Sequence, residues 1–384
     1  MSFDNVDLES LRRRRSEKWT AFPTDVLPSH MAEMDFRLAP PIEEVLVAAV
    51  QEGDVGYAPA RGSLLAEAFA AFAERRWGWS VDPAGVVAVP DVMVGVAELL
   101  RVLTPEGAGV VINPPVYPPF YSVIAETGRR VVEVSLLPAD EPRRLPLEAI
   151  RAAFRDGARS MLLCNPHNPT GYVADEDEVR DLGAIVSAHD AVLLSDEIHA
   201  PLTMPGVSHV PAASVVEDAI TLTSATKAWN LAGLKCGLAV AQSPHTRGAL
   251  DRLPVDLHDR VGLLGVIASE TAFADGDEWL DELRIYIAET RRRLPDLLGR
   301  HAPGVRADPA QATYLAWLDF RSTGLGDDPA PALVERGRVA LLPGPRFGDA
   351  GRGFARLNLG TSYELVEEAV RRIGRALRSE ATSL

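Results

Sequence analysis

A chain of 384 residues, 47% hydrophobic and 24% charged, is long enough for a large core and two domains, and no run approaches the roughly 18 apolar residues that span a bilayer. Its formal net charge of −15 argues against a nucleic-acid partner, which needs a basic face. Two cysteines, Cys164 and Cys236, match neither a metal motif nor a disulfide scaffold, and read as small buried residues in a reducing cytoplasm.

The opening text MSFDNVDLESLRRRRSEKW has charges but no apolar stretch with a small-residue cleavage site, so no secretory signal is expected. Arg12–Arg15 read as a solvated helix or an arm at a subunit contact. The Pro-rich text that follows, FPTDVLPSH, offers no domain of its own and is expected to join the C-terminal one. The turn VPDVMVG (89–95) leads into a helix, VGVAELLRVL.

The middle of the chain alternates short apolar runs with helical patterns. AGVVINPP (108–115), RSMLLCNP (159–166), DAVLLSDE (190–197), AITLTSAT (219–226) and CGLAVAQ (236–242) read as strands. Each run is continuously apolar, which suits a sheet covered on both faces. EDEVRDLGAIVSAH (176–189) has the spacing of an amphipathic helix. The fold class is therefore α/β with a mostly parallel sheet. Polar text sits at the C-terminal end of four runs: NPPVY, NPHNPTG, SDEIH and SATK. Ligands of open α/β sheets bind outside the carboxyl ends of the strands, so these four ends should meet at one crevice. After about residue 280 the pattern changes. A long helix over 277–299, strands over 311–320, 339–348 and 354–362, and a last helix over 363–380 predict a smaller α+β domain. The expected division is 1–45 joining the small domain, 46–280 as the large domain, and 281–384 as the small one.

The segment SATKAWNLAGLKCG (224–237) places two lysines in an apolar run. Desolvation disfavours a charged amine, and a neutral Lys227 could form a Schiff base with an aldehyde; the alternative is a lysine that snorkels to the surface. Asp196 ends an apolar strand, where a carboxylate has no packing purpose. It could keep a pyridine nitrogen protonated. A Mg²⁺ site of a nucleotide enzyme would instead want a GxxxxGK[ST] loop, which is absent from the sequence. Asn168 can donate to a phenolate oxygen. Tyr117 could stack on a planar cofactor or be a core aromatic. For a phosphate, Ser224 offers a hydroxyl, Lys235 a cation, and Val92 and Met93 the amides of a helix N-terminus. Arg356, in FARLNLG, suits capture of a carboxylate or a surface ion pair.

Taken together these residues resemble the fold-type I pyridoxal 5′-phosphate (PLP) enzymes of the aspartate aminotransferase superfamily. KWTAFPTDVLPSHMAEMDF (18–36), VGYAPARG (55–62), NPPVYPPF (113–120), CNPHNPTG (164–171), SDEIHAPL (195–202), SATKAWNLAGLKCG and PGPRFGDAGRGFARLNLG (343–360) resemble its MalY/PatB branch, the cystathionine β-lyase-like C–S lyases, over nearly the whole chain. The resemblance implies a seven-stranded, mostly parallel sheet between helices, and PLP as cofactor. It implies that Lys227 joins the cofactor, Asp196 pairs the ring nitrogen, Asn168 bonds the phenolic oxygen and Tyr117 stacks on the ring. Ser224 and Lys235 would hold the phosphate, and Arg356 the substrate α-carboxylate. Tyr57 would reach the phosphate or substrate of the neighbouring subunit in a homodimer with shared sites. His199 would either support the cofactor from behind or simply pack. One departure stands out. The branch usually has an apolar residue, Trp and Val before AEMDF, where this chain has Ser29-His30-Met31. His30 and Met31 therefore either reshape the substrate mouth or are neutral there if the position faces out. The implied reaction is α,β-elimination from an L-cysteine S-conjugate such as cystathionine, giving thiol, pyruvate and ammonia. Transamination, an oxygen-dependent decarboxylation or oxidative deamination, and regulation through protein contact are the alternatives.

Overall fold

The computed structural model describes residues 3–59, 64–137 and 143–378. Its strands, in chain order, are β1 (Leu27–Pro28), β2 (Val86–Val89), β3 (Gly109–Ile112), β4 (Arg130–Glu133), β5 (Ala158–Cys164), β6 (Val192–Asp196), β7 (Ala219–Thr223), β8 (Gly237–Val240), β9 (Arg306–Ala307), β10 (Leu315–Asp319), β11 (Val339–Ala340), β12 (Leu342–Pro343) and β13 (Phe354–Asn358).

The main sheet has the order β2-β8-β7-β6-β5-β3-β4. Pairing is parallel from β4 through β3, β5 and β6 to β7, and antiparallel where β8 meets β7 and β2. All residues of β3, β7 and β8 are buried, as their unbroken apolar text requires. The five expected strands are present; β3, β5 and β7 end before their polar text, while β6 carries Ser195 and Asp196 within the sheet. The sheet's edges, β2 and β4, carry no such signal. Arg130 and Glu133 at the ends of β4 are exposed and its two valines only partly covered, so its text is too short and too charged to stand out.

A second sheet, β12-β13-β10-β9, is antiparallel. The text expected as one strand over 339–348 instead breaks into β11, β12 and a 3₁₀ turn at Gly344–Phe347. Pro343 and Pro345 lack the N–H that a continuing ladder needs. The 25-residue helix Asp277–His301 runs between the two sheets. The last helix spans Tyr363–Arg378; residues 379 and 380 of the expected helix, like 60–62 of VGYAPARG, lie outside the described residues. Among the described residues, no helix is long and apolar enough to cross a membrane.

The N-terminal segment joins the second sheet's side of the molecule, because β1 pairs in parallel with β11. It then crosses to the main sheet as irregular backbone over residues 29–36. Buried backbone without secondary structure must find other partners, and side chains supply them here. Arg356 Nη2 donates to the His30 carbonyl at 3.1 Å. Asn358 Nδ2 donates to Met31 O at 2.7 Å and Glu33 O at 2.6 Å. Lys227 Nζ and the Tyr314 hydroxyl both donate to Ala32 O, at 2.8 and 3.0 Å. Asn230 Nδ2 donates to Met34 O at 2.9 Å, and its Oδ1 accepts from Met34 N at 3.0 Å.

A buried ion pair anchors the end of this segment. Lys18 is 1% exposed, and its Nζ lies 2.8 Å from Asp35 Oδ2. Trp19 Nε1 donates to the other carboxylate oxygen at 3.0 Å. Arg14 donates to the carbonyls of Met34 and Asp35, so this arginine of the Arg12–Arg15 run serves its own chain rather than a solvated face. Removing one member of a buried pair strands the other charge, at a cost of about 3–5 kcal/mol. Urea unfolding of Asp35→Ala should show a loss of that size. The double variant Lys18→Met/Asp35→Leu should lose less than Asp35→Ala alone.

Candidate active site

The carboxyl ends of β3, β5, β6 and β7 open on one cleft of about 420 Å³, within the usual size of small-molecule sites. Tyr117, Asn168, Asp196 and Lys227 line it, one from each strand end, as the sequence anticipated. Val92, Met93, His199, Lys235, Met31 and Arg356 complete much of the wall.

The chain contains three lysines. Lys18 is paired with Asp35, and Lys235 lies 3.2 Å from Asp91 Oδ2. Lys227 differs from both: among the described residues it has no carboxylate within ion-pair distance and donates only to the Ala32 carbonyl. Burial, assisted by the Arg356 charge, pulls its pKa down to about 8, against the opposing pull of Glu33 and Asp196. At pH 7 about one amine in ten is then neutral, against roughly one in 3,000 for an ordinary lysine.

Ser224 shapes the turn that carries Lys227. Its hydroxyl donates to the Cys236 carbonyl at 2.6 Å and accepts from Thr226 N at 3.1 Å. It is buried behind the wall, and Thr226 is the hydroxyl residue that lines the cleft. The Ser224 hydrogen is committed to the Cys236 carbonyl here, and the Thr226 hydroxyl lies 2.8 Å from Ser224 Oγ.

Side-chain alternation along β6 and its continuation sends Asp196 and Glu197 to opposite sides. Glu197 is held by His209 Nε2 at 2.9 Å, Ala212 N at 2.8 Å and the Thr221 hydroxyl at 3.1 Å. Asp196 faces the cleft and accepts from Ile198 N at 3.1 Å. Burial pushes its carboxyl up to about 7; the Ile198 N–H and Lys227 resist the shift, and Glu197 adds to it. A cationic ring nitrogen beside it would hold it ionised.

Arg356, on β13, is 2% exposed. Its Nη1 donates to Asn168 Oδ1 at 2.9 Å and its Nη2 to the His30 carbonyl. Its Nε has no partner, and no carboxylate lies within ion-pair distance among the described residues. Burial brings its pKa to about 10, so it remains a cation at neutral pH. A buried guanidinium without an anion is a standing site for a carboxylate. Because Arg356 occupies the Asn168 carbonyl oxygen, the Asn168 NH₂ is left for a ligand.

Tyr117 meets Phe120 edge-on at 6.0 Å, and burial raises its phenol pKa, so the hydroxyl is neutral. His199 is buried with Nδ1 unpartnered, and burial lowers its pKa to about 3. It enters the cleft as a neutral ring rather than as pure packing. Lys235 has a left-handed backbone (φ 56°). Its partner Asp91 caps the helix Val92–Leu103 by accepting from Val94 N at 2.9 Å. The Val92 and Met93 amides lie in the first turn, where helices have no internal acceptors and attract anions. Gly237 lets β8 approach this corner: a Cβ there would stand 3.1 Å from Val92 N.

Two candidates stand outside the lining of this chain's own cleft. His30 does not put its ring into the cleft. The imidazole is buried edge-on to Phe22 at 4.9 Å, and burial, with the charges of Lys18, Arg356 and Arg346, lowers its pKa to about 4. Its contribution is its carbonyl, which orients Arg356; Met31 is the residue of this stretch that lines the cleft. Tyr57 is 85% exposed and stands outside its own chain's cleft, bridged through its backbone to Gly262. Sequence reasoning did not single out Asn230, Asn358, Tyr314, Thr226 or Arg346. Both asparagines lie inside motif text, in WNLAG and RLNLG, but their carbonyl partners are about 200 and 330 residues away.

Residues 34–373 match the family model described as aminotransferase class I and II. The chain belongs to the class I and II aminotransferase family. Within that family it is 40% identical to cystathionine beta-lyase of Corynebacterium glutamicum, over 97% of this chain and 99% of the relative. It is 33% identical to cystathionine beta-lyase PatB of Bacillus subtilis, over 92% and 93%. Among solved structures, cystalysin of Treponema denticola, which contains pyridoxal 5′-phosphate, superposes with a TM-score of 0.90 at 27% identity, over 99% and 100% of the two chains.

In this aminotransferase-family chain the Lys227 pKa can be read directly. Trapping of an aromatic aldehyde by cyanoborohydride on the cofactor-free protein, followed on the Lys227 peptide by mass spectrometry, should rise with pH about a midpoint near 8. Arg356→Gln removes a neighbouring cation and should move that midpoint upward. A wild-type midpoint above 10, or no shift in the variant, contradicts the electrostatic account.

Proposed function

We propose that this protein is a PLP-dependent C–S β-lyase that cleaves L-cystathionine or another L-cysteine S-conjugate to thiol, pyruvate and ammonia. The observation that carries the reading is the desolvated Lys227 amine sharing one cleft with Asp196 and the unpaired Arg356. The extent of similarity to cystathionine β-lyases supports the same reading.

The donor set fits PLP. Lys227 would take its aldehyde, Asp196 would face its ring nitrogen, and the Asn168 NH₂ its phenolic oxygen. Tyr117 would lie against the ring. Lys235 and the amides of Val92 and Met93 would meet the phosphate, with Thr226 or Ser224 as the hydroxyl. When bound, PLP supplies an electron sink for the carbanion formed at Cα.

The chain's own residues do the rest. Arg356 holds the substrate α-carboxylate by two parallel N–H bonds and so fixes which Cα bond faces Lys227. The neutral Lys227 amine takes the Cα proton as general base. The thiolate departs from Cβ, and the burial of the inner wall keeps bulk water from the reacting carbon. Hydrolysis of the released enamine gives pyruvate and ammonia. Transamination would use the same residues with a different destination for the proton.

The chain divides, on this reading, into a large domain (46–280) and a small one (281–384) joined by residues 1–45. We read Tyr57 as serving the neighbouring subunit of a homodimer; Val55, also exposed, lies beside it. The two buried, unpaired cysteines suit a reducing cytoplasm.

Purified protein with PLP and L-cystathionine, without a keto acid, should release pyruvate and thiol in equal amounts. Turnover only on addition of a keto acid would instead identify a transaminase. Arg356→Gln should raise KM for the substrate about 10- to 100-fold, the worth of a charge-assisted hydrogen bond. Sedimentation should give twice the 41.4 kDa chain mass; a monomer with full activity would exclude shared sites.

A further inference from the structure

Arg356 is not the only arginine in the cleft. Arg346 also lines it, from the 3₁₀ turn Gly344–Phe347 that follows β12. It is exposed, and among the described residues it has neither an ion pair nor a hydrogen-bonded partner. Other exposed arginines of the same region behave differently: Arg338 lies 2.7 Å from Asp25, and Arg352 lies 3.0 Å from Asp349.

The turn that carries Arg346 is fixed. Val116 N donates to Phe347 O at 3.0 Å, tying it to the loop after β3. Gly344 packs so closely that a Cβ there would come within 2.1 Å of Gly351 O. Arg346 is therefore held at the cleft by rigid backbone. Its charge is felt inside, since it helps to depress the pKa values of both Arg356 and His30.

We infer that Arg346 binds a second carboxylate, carried on the sulfur substituent, so that this chain favours L-cysteine S-conjugates whose leaving thiol is itself anionic. The naming of the sulfur substituent rests on the lyase reading above. The charge count rests on the cleft alone. One guanidinium is deep and one is at the wall, and neither has an anion. The cleft's own carboxylates are otherwise engaged: Asp91 with Lys235, and Asp196 with the Ile198 amide. A substrate with a single carboxylate satisfies Arg356 and leaves Arg346 to water. A substrate with two satisfies both. Because Arg346 is exposed, its contact is partly screened by solvent and salt, so it tunes selectivity rather than deciding turnover.

The test compares S-(3-carboxypropyl)-L-cysteine with its amide, S-(3-carbamoylpropyl)-L-cysteine, which have the same length and differ in charge. The wild-type holoenzyme should prefer the acid. In Arg346→Met the acid-to-amide ratio of kcat/KM should fall about two- to fivefold. Arg346→Lys should recover part of the preference, and the wild-type preference should shrink with added salt. An unchanged ratio in Arg346→Met overturns the proposal. If neither conjugate is turned over without a keto acid, the lyase reading fails by itself. Calorimetry with adipate and hexanoate on the holoenzyme then decides the role of Arg346: the adipate preference must fall in Arg346→Met by the same factor, and an unchanged preference overturns it.

Discussion

Arg356 joins three parts of the chain through one guanidinium. It grows from the central strand pair of the second sheet, donates to Asn168 beyond β5 of the main sheet, and donates to the His30 carbonyl of the N-terminal segment. None of those partners is an anion. The protein thus spends a buried cation on holding its parts in register while keeping the charge uncompensated. Stability alone would favour a carboxylate partner for the arginine, or an apolar residue in its place. Its retention is understandable if the missing anion arrives with the substrate, and the same bonds then set the geometry that the anion meets.

That uncompensated charge also acts on Lys227. Desolvation and the Arg356 field work together to lower the amine's pKa, while Asp196 and Glu33 limit the shift. The result is an amine that is neutral often enough to react and charged often enough to be stored against the Ala32 carbonyl. Lys18 and Lys235 show the contrast. One pairs with a buried carboxylate and the other with a half-buried one, so each has an anionic partner that Lys227 lacks. With three lysines in the chain, amine chemistry has a single well-prepared location.

The main sheet and its crevice were legible because their physics is local. Unbroken apolar runs ending in polar text mark buried parallel strands and the loops that carry function, so Tyr117, Asn168, Asp196 and Lys227 could be placed from the residues themselves. What was not legible is long-range. The hydroxyl of Ser224 is consumed by the Cys236 carbonyl, just before the next strand. The imidazole of His30 packs on Phe22 while its carbonyl serves Arg356. The backbone of residues 29–36 depends on Asn230 and Asn358, whose partners no periodicity connects. Edge strands β2 and β4 were lost for the opposite reason: they are short and half-covered, so their text resembles a turn. Arg346 lies in quoted motif text, but only the fold turns it toward the cleft.

The central claim is that Lys227, and neither of the other two lysines, carries the cofactor. It can be measured without any assay of turnover. Holoprotein reduced with borohydride, digested and sequenced by mass spectrometry should carry the phosphopyridoxyl group on the peptide containing Lys227, at close to one per chain. Label on the peptides of Lys18 or Lys235, or no stable label at all, would contradict the account.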